Sequence, residues 1–325
     1  HAGHHPHGVF LQPGETPLAM ERLARRQGLT ALGQAHTIAA VRVCRYMTAD
    51  NQVRIGLAKG DDALIDLTAA GVESITSILE STDPKQHLTD LSKQDLPEVA
   101  RDDVTLLSPI EVQEVWAAGV TYLRSKDARM EESDFSATAY DRVYDAPRPE
   151  IFFKSLPEKV VACGEPVGIR ADAKWNVPEP ELVLMMNSRG DIAGYAVGND
   201  MSSRDIEGEN LLYLPQAKVY HRSCAVGPWV TVGASEEEAR QWEISLKIER
   251  SGGVMFEGSV SVNQIKRSFS ELAEYMNRSQ VFPFGSALLT GTGIVPGDNF
   301  TLEEVDKISI HISGIGCLIN SVVRV

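Results

Sequence analysis

The sequence lacks clustered cysteines, long hydrophobic runs and an excess of positive charge, and each deficit excludes a class of protein. Its 325 residues include only four cysteines, Cys44, Cys163, Cys224 and Cys317, with no Cys-x-x-Cys pair among them. Such spacing is typical of reduced thiols in a cytoplasmic protein. No apolar run approaches the roughly 20 residues that span a bilayer, so we expect no membrane partner.

The charge balance is strongly acidic. Lysine and arginine total 31 against 45 aspartates and glutamates, which gives a formal net charge of −14. Surfaces that bind nucleic acid or anionic membranes are basic, because they contact phosphates. We therefore expect no nucleic-acid partner. With 43% hydrophobic and 23% charged residues, the composition is that of an ordinary globular protein.

The length predicts about two domains at roughly 150 residues each. We place the boundary near residue 107, which gives a small N-terminal domain over residues 1–107 and a larger domain over residues 108–325. Between residues 38 and 67, short strand-like runs alternate with the turn sequences TADN and KGDD. The His-rich start, HAGHHPH, is expected to be a floppy tail or an expression remnant outside the fold.

The larger domain is predicted to be β-rich, so the fold class is α+β. Strand-like segments outnumber the helical ones, of which FSELAEYMNRS and TYLRSKDARMEES are the clearest. Strands and helices do not alternate regularly along the chain as they do in a doubly wound sheet. NSRGD between ELVLMM and IAGYAVGND predicts a hairpin, with Gly190 suited to a positive φ. GTGIVPG, residues 291–297, is glycine-rich but opens no helix, which argues against a nucleotide site.

Three carboxylates form the most informative pattern. Glu179 and Glu181 are two residues apart, so in an extended segment both project from one face. Pro180 between them favours extended backbone. Asp200 ends the next predicted strand, where it is able to turn back beside them. Converging carboxylates require a cation such as Mg²⁺, which prefers oxygen ligands; the alternative is a solvated, acidic strand edge.

The motifs around these carboxylates resemble the fumarylacetoacetate hydrolase family. The matching elements are Glu-x-Glu-Leu, GYAVGNDMSSRD, Lys218 and GPWV, within a resemblance that covers roughly residues 108–325. It implies a mixed β-roll catalytic domain after a small N-terminal α/β domain, in a homodimer or homotetramer. It also implies that Glu179, Glu181 and Asp200 bind Mg²⁺, for which Mn²⁺ or Ca²⁺ is expected to substitute.

One departure from the family concerns the reaction. Its hydrolases usually carry a histidine and a glutamate after a Gly-x-x-Tyr turn, whereas this chain reads GVTYLRSKDARMEES, with Arg124 and Ser125 and no histidine. The run GENLLYLPQAKVY resembles instead the branch that dehydrates 2-keto-3-deoxy sugar acids. That branch implies a hydro-lyase that converts 2-dehydro-3-deoxy-D-arabinonate to 2,5-dioxopentanoate and water through a metal-stabilised enolate.

The resemblance also suggests roles for individual side chains. Lys154 is the first choice for the base that removes the C3 proton, and either Lys218 or a metal-bound water protonates the leaving hydroxyl. The residues expected to bind the anionic substrate are Arg124, Ser125, Arg204, Tyr213 and Thr292. Two of these have structural alternatives: an ion pair with Asp205 for Arg204, and packing for Tyr213.

Three other functions stay open on the same residues. The first is carbon–carbon hydrolysis of acylpyruvates or diketo acids, against which the absent histidine counts. The second is decarboxylation or tautomerisation of an oxaloacetate-type substrate. The third is a binding module that holds a sugar acid without turnover.

Overall fold

The structure is a computed structural model, and it describes residues 40–123 and 142–325. The segment from Ala40 to Val325 forms one compact unit. Its strands, in chain order, are β1 Val41–Met47, β2 Val53–Lys59, β3 Ala63–Asp66, β4 Glu98–Ala100, β5 Thr105–Leu107, β6 Glu114–Gly119, β7 Glu150–Ser155, β8 Val167–Ile169, β9 Asn176–Val177, β10 Pro180–Met186, β11 Ile192–Asp200, β12 Ser202–Ser203, β13 Cys224–Val232, β14 Glu243–Arg250, β15 Gly253–Ser261, β16 Ser286–Leu289, β17 Lys307–Ile312 and β18 Gly316–Arg324.

The α-helices that lie wholly within the described residues are short. They are α1 Ile75–Leu79, α2 Pro84–Leu91, α3 Arg204–Glu209, α4 Leu214–Lys218, α5 Glu236–Arg240 and α6 Phe269–Asn277. The longest, α6, begins after Ser268, whose side chain accepts from the Glu271 N–H, and it buries one face every three to four residues. Within the described ranges, no helix is long and apolar enough to cross a membrane.

The strands form one large sheet and two smaller ones. The large sheet has eleven strands in the order β4-β3-β2-β1-β13-β11-β10-β16-β6-β7, and β5 pairs with β1. A five-stranded sheet has the order β15-β14-β17-β18-β8, and β9 pairs with β12. The β16–β6 and β18–β8 pairs are parallel, and the other named pairs are antiparallel. The predicted α+β, strand-rich class is confirmed.

The predicted hairpin is formed by β10 and β11. Pro180 pairs with Asn199 and Glu181 with Gly198, and Gly190 in the connecting turn has φ +82°. Along β10, Leu182 and Leu184 pack into one hydrophobic core while Val183 and Met185 pack into another. Burial on both faces explains why this strand is a continuous apolar run instead of an alternating one.

Strands on both sides of residue 107 share the large sheet, because β1 pairs with β13 from Val41↔Val232 to Cys44↔Trp229. The division into two domains at residue 107 stays a prediction. The His-rich start lies outside the described residues, and so does most of the helix predicted over TYLRSKDARMEES.

Candidate active site

The β10–β11 hairpin brings the three predicted carboxylates together. Glu179 immediately precedes β10, Glu181 is its second residue, and Asp200 ends β11. The Asp200 N–H donates to the Glu179 carbonyl at 3.0 Å. One carboxylate oxygen from each side chain lies within 4.8 Å of the others. All three residues are at most 2% exposed, so the alternative of a solvated strand edge is wrong.

Lys218, at the end of α4, contacts two of these carboxylates. Its Nζ lies 2.7 Å from Glu179 Oε2 and 3.1 Å from Asp200 Oδ2, and it also donates to Ser202 Oγ at 2.6 Å. These three acceptors use all three N–H groups of an ammonium. Lys218 is fully buried, so it serves here as a desolvated, protonated counter-ion.

Lys154, on β7, approaches Asp200 from the other side. Its Nζ forms an ion pair with Asp200 Oδ1 and donates to the carbonyls of Met201, at 3.1 Å, and of Lys218. It too is fully buried. Three oxygen contacts around Nζ suit the ammonium form of Lys154, whereas the predicted role as a base requires the neutral amine.

Arg204, the first residue of α3, is fully buried and pairs with Glu179. Its Nη2 lies 2.8 Å from Glu179 Oε1. Asp205, the partner in the structural alternative, instead accepts from the Lys174 N–H at 2.8 Å. Arg204 therefore contacts a candidate metal ligand, and this contact orients the Glu179 carboxylate.

Glu181 has the most strongly perturbed electrostatics of the cluster. Burial raises its pKa well above the ordinary value, and the charges of Asp200 and Glu179 raise it further. Lys218 and the Gly291 N–H, which lies 2.6 Å from Glu181 Oε2, oppose this shift. A divalent cation among the three carboxylates would remove the repulsion. Carboxylate oxygens are also the ligands that Mg²⁺ prefers, so the donor set fits this ion.

The other predicted substrate contacts have different surroundings. The Thr292 hydroxyl is buried and forms hydrogen bonds within its own loop. It donates to the Ile294 carbonyl at 3.1 Å and accepts from the Ile294 N–H at 3.2 Å. Tyr213 is 37% exposed, and no described residue hydrogen-bonds to its side chain. Arg124 and Ser125 lie outside the described residues.

Several contacts of the cluster come from residues that the motif analysis did not single out. Asn199 Oδ1 accepts from the Glu179 N–H at 3.2 Å, and Ser202 Oγ donates to the Asp200 carbonyl at 3.0 Å. Both residues lie in the Asn-Asp-x-Ser run around Asp200, so small polar residues beside a candidate ligand were the available signal. The Gly291 amide contact left no such signal, because it joins positions 110 residues apart.

Among the residues that the structure describes, no histidine and no reactive cysteine belongs to this cluster. Within residues 40–123 and 142–325, the histidines are His87, His221 and His311, and all three are exposed. Cys224 is fully buried, and burial raises the pKa of its thiol to about 12. A thiol with such a pKa is not a nucleophile at neutral pH.

The three buried carboxylates, with two lysines and an arginine beside them, form a set of oxygen donors that could hold a hard divalent cation. The chain belongs to the fumarylacetoacetate hydrolase family: the family described as "Fumarylacetoacetate (FAA) hydrolase C-terminal" matches residues 114–323. The fold is therefore that of the family named by the motif resemblance.

Relatives within the family are similar over most of their length. A probable 2-keto-3-deoxyxylonate dehydratase of Haloferax volcanii is 48% identical over 217 residues, which cover 67% of this chain and 74% of the relative. A 2-dehydro-3-deoxy-D-arabinonate dehydratase of Saccharolobus solfataricus is 42% identical over 224 residues, covering 68% and 75%. A solved structure of 2-keto-3-deoxy-D-arabinonate dehydratase, complexed with magnesium and 2,5-dioxopentanoate, is 34% identical with a TM-score of 0.74; the match covers 87% of this chain and 99% of that one.

Proposed function

We propose that the protein is a Mg²⁺-dependent dehydratase of a 2-keto-3-deoxy sugar acid, converting 2-dehydro-3-deoxy-D-arabinonate to 2,5-dioxopentanoate and water. The observation that carries this proposal is the buried cluster, in which Glu179, Glu181 and Asp200 lie beside two lysine ammonium groups. Relatives at 42% and 48% identity that are named as dehydratases of such acids support the same reaction.

The reaction balances as an elimination followed by two proton shifts. A proton leaves C3, and hydroxide leaves C4 and takes up a proton to become water, which leaves a double bond between C3 and C4. A proton then moves from C5 to C3 to give the enol of C4 and C5, and C4 gains a proton as the enol hydroxyl loses one, which gives the aldehyde. Glu179, Glu181 and Asp200 would hold Mg²⁺. When bound, this ion supplies the Lewis acidity that polarises the 2-keto carboxylate and makes the C3–H bond more acidic.

We assign proton transfer to the two buried lysines. Lys218 Nζ lies within hydrogen-bonding distance of three acceptors, an arrangement that favours the ammonium form, and we propose that it protonates the C4 hydroxyl as it leaves. Lys154 is proposed as the base at C3. In this structure its Nζ donates to two carbonyls and forms an ion pair with Asp200, so the base role requires the amine to be released from these contacts.

Basic side chains are gathered at the site although the protein carries a net charge of −14. Lys154, Lys218 and Arg204 together offset the three carboxylates, so a bound divalent cation leaves the pocket positive towards an anionic substrate. Arg204 is proposed to act through Glu179. Direct substrate contacts by Arg124, Ser125, Tyr213 and Thr292 remain proposals.

A substrate panel tests the function. Purified protein with Mg²⁺ is incubated with five- and six-carbon 2-keto-3-deoxy acids and with one acylpyruvate, and products are followed by proton NMR. We expect aldehyde signals from the five-carbon acid and no pyruvate from the acylpyruvate. Pyruvate release would favour a hydrolase, and binding without any product would favour a sugar-acid-binding module.

Variants connect the activity to the cluster. Lys154→Met and Glu181→Gln are expected to abolish aldehyde formation. Glu257→Gln, a matched control at an exposed position on β15, should retain it. Full activity in either cluster variant would remove that residue from the proposed mechanism.

We also propose that the protein is a cytoplasmic homodimer or homotetramer. The cytoplasmic location is supported by the cysteines, all four of which are free thiols. The oligomeric state rests on the family resemblance, and light scattering after size-exclusion chromatography would test it; a monomer would contradict the proposal.

A further inference from the structure

A single peptide unit connects the loop after β16 to the carboxylate cluster. The Gly291 N–H donates to Glu181 Oε2 at 2.6 Å. The preceding residue, Thr290, is fixed to β10, because its N–H and its hydroxyl both donate to the Leu182 carbonyl, at 3.0 and 2.9 Å. The direction of the Gly291 N–H therefore depends on the orientation of the peptide between Thr290 and Gly291.

The opposite end of this peptide is bonded to Thr121. The buried Thr121 hydroxyl donates to the Thr290 carbonyl at 2.6 Å. A trans peptide is planar, and its C=O and N–H point in opposite directions. A hydrogen bond that fixes the Thr290 carbonyl therefore also fixes the direction in which the Gly291 N–H points towards Glu181.

The backbone around Thr121 is held in an unusual conformation that makes this contact possible. Val120 has φ +53°, a left-handed conformation that is costly for a β-branched residue and persists only when its surroundings impose it. The Thr121 carbonyl accepts from the Lys266 N–H at 3.0 Å. Gly291 has φ +93°, and a Cβ there would lie 2.1 Å from Thr121 Oγ1, so the close approach requires glycine.

We propose that Thr121 is a positioning residue for Glu181 and thereby for metal binding. It acts through the Thr290–Gly291 peptide and touches neither the reacting atoms nor the metal ligands themselves. This inference rests on the proposed Mg²⁺ site. Outer-shell partners of metal ligands typically change metal affinity by roughly 10–100-fold when they are removed.

The test compares Thr121→Val, which keeps the shape but removes the donor, with Thr121→Ser, which keeps the hydroxyl. The Mg²⁺ dissociation constant is measured by calorimetry on metal-stripped protein. We expect Thr121→Val to weaken binding by roughly 10–100-fold and Thr121→Ser to stay near wild type. The matched control is Thr231→Val on β13, which removes another buried hydroxyl that donates to a carbonyl, that of Gly314 at 3.1 Å.

Three results would overturn the proposal: wild-type Mg²⁺ affinity in Thr121→Val, equal weakening in Thr231→Val, or weakening in Thr121→Ser as large as in Thr121→Val. If Thr121→Val does not fold, Thr121→Ala takes its place under the same criteria. Failure of wild-type protein to bind Mg²⁺ would contradict the proposed function, whereas normal binding by a folded Thr121→Val variant contradicts only the positioning role.

Discussion

Lys218→Met removes one of the buried cations, and its effect on stability follows from the contacts of that side chain. Methionine keeps an unbranched stem but has no charge. The substitution leaves Glu179 Oε2 and Asp200 Oδ2 without a cation that lies 2.7 and 3.1 Å away. Both carboxylates are at most 3% exposed as side chains, so water cannot take its place.

Removing one partner of a buried ion pair costs about 3–5 kcal/mol when the other charge is left uncompensated. Because Arg204 still pairs with Glu179 and Lys154 with Asp200, we expect a loss at the lower end of this range, about 3 kcal/mol. The free energy of unfolding of a typical domain is about 5–15 kcal/mol, so the variant should still fold but with much reduced stability. We expect Mg²⁺ to restore part of the loss, since it supplies positive charge to the same carboxylates and binds only the folded state. Urea unfolding followed by circular dichroism, with EDTA and then with Mg²⁺, measures both effects.

The control is Lys247→Met on β14. Lys247 Nζ lies 3.1 Å from Glu249, but these side chains are 31% and 27% exposed. Solvent screening limits such a pair to at most about 1 kcal/mol. The reasoning would be refuted if Lys218→Met lowered the free energy of unfolding no more than this control does, or if Mg²⁺ restored none of the loss.

Three further outcomes are expected. Glu181→Gln should lose Mg²⁺ binding and activity but keep a wild-type melting temperature without metal, because the amide oxygen still accepts from Gly291; a collapsed fold by circular dichroism would contradict this. Burial, and then the charges of Asp200 and Glu179, raise the pKa of Glu181 in the folded protein. Protonated Glu181 therefore stabilises the metal-free protein fully at pH values below the pKa of this carboxyl in the unfolded chain. This stabilisation is lost as the pH rises through the raised pKa of the folded protein. Mg²⁺ displaces that proton, so the rise in melting temperature on adding Mg²⁺ should grow with pH, and a pH-independent rise would count against the assignment. Iodoacetamide at pH 7.5 should leave Cys224 unmodified in peptide mass spectra, because its thiol pKa is raised to about 12; rapid labelling of the folded protein would be inconsistent with its burial.

The convergence of the three carboxylates could be predicted from local pattern. Two glutamates two residues apart share a strand face, and a turn containing Gly190 returns the chain so that Asp200 arrives beside them. Helices α3 and α4 could not be predicted in the same way, because they have only six and five residues, too few to show helical periodicity.

Contacts between residues that lie far apart in the chain could not be predicted from the local sequence pattern either. Lys154 was predicted from the family resemblance, but its bonds to the carbonyls of Met201 and Lys218 join positions 47 and 64 residues apart and depend on the topology of the fold. Arg204 was expected to bind substrate, and its partner Glu179 became visible only with the fold. The bond from Thr121 to the Thr290 carbonyl spans 169 positions and uses a backbone acceptor, so no side-chain motif indicates it.

The most direct test of the central claim is a Mg²⁺ titration of metal-stripped protein with 2-dehydro-3-deoxy-D-arabinonate as substrate. The initial rate of 2,5-dioxopentanoate formation is followed by proton NMR. We predict no product without metal and a rate that rises to saturation as Mg²⁺ is added. Dehydration at an unchanged rate in the stripped protein would contradict a mechanism that depends on the cation held by Glu179, Glu181 and Asp200.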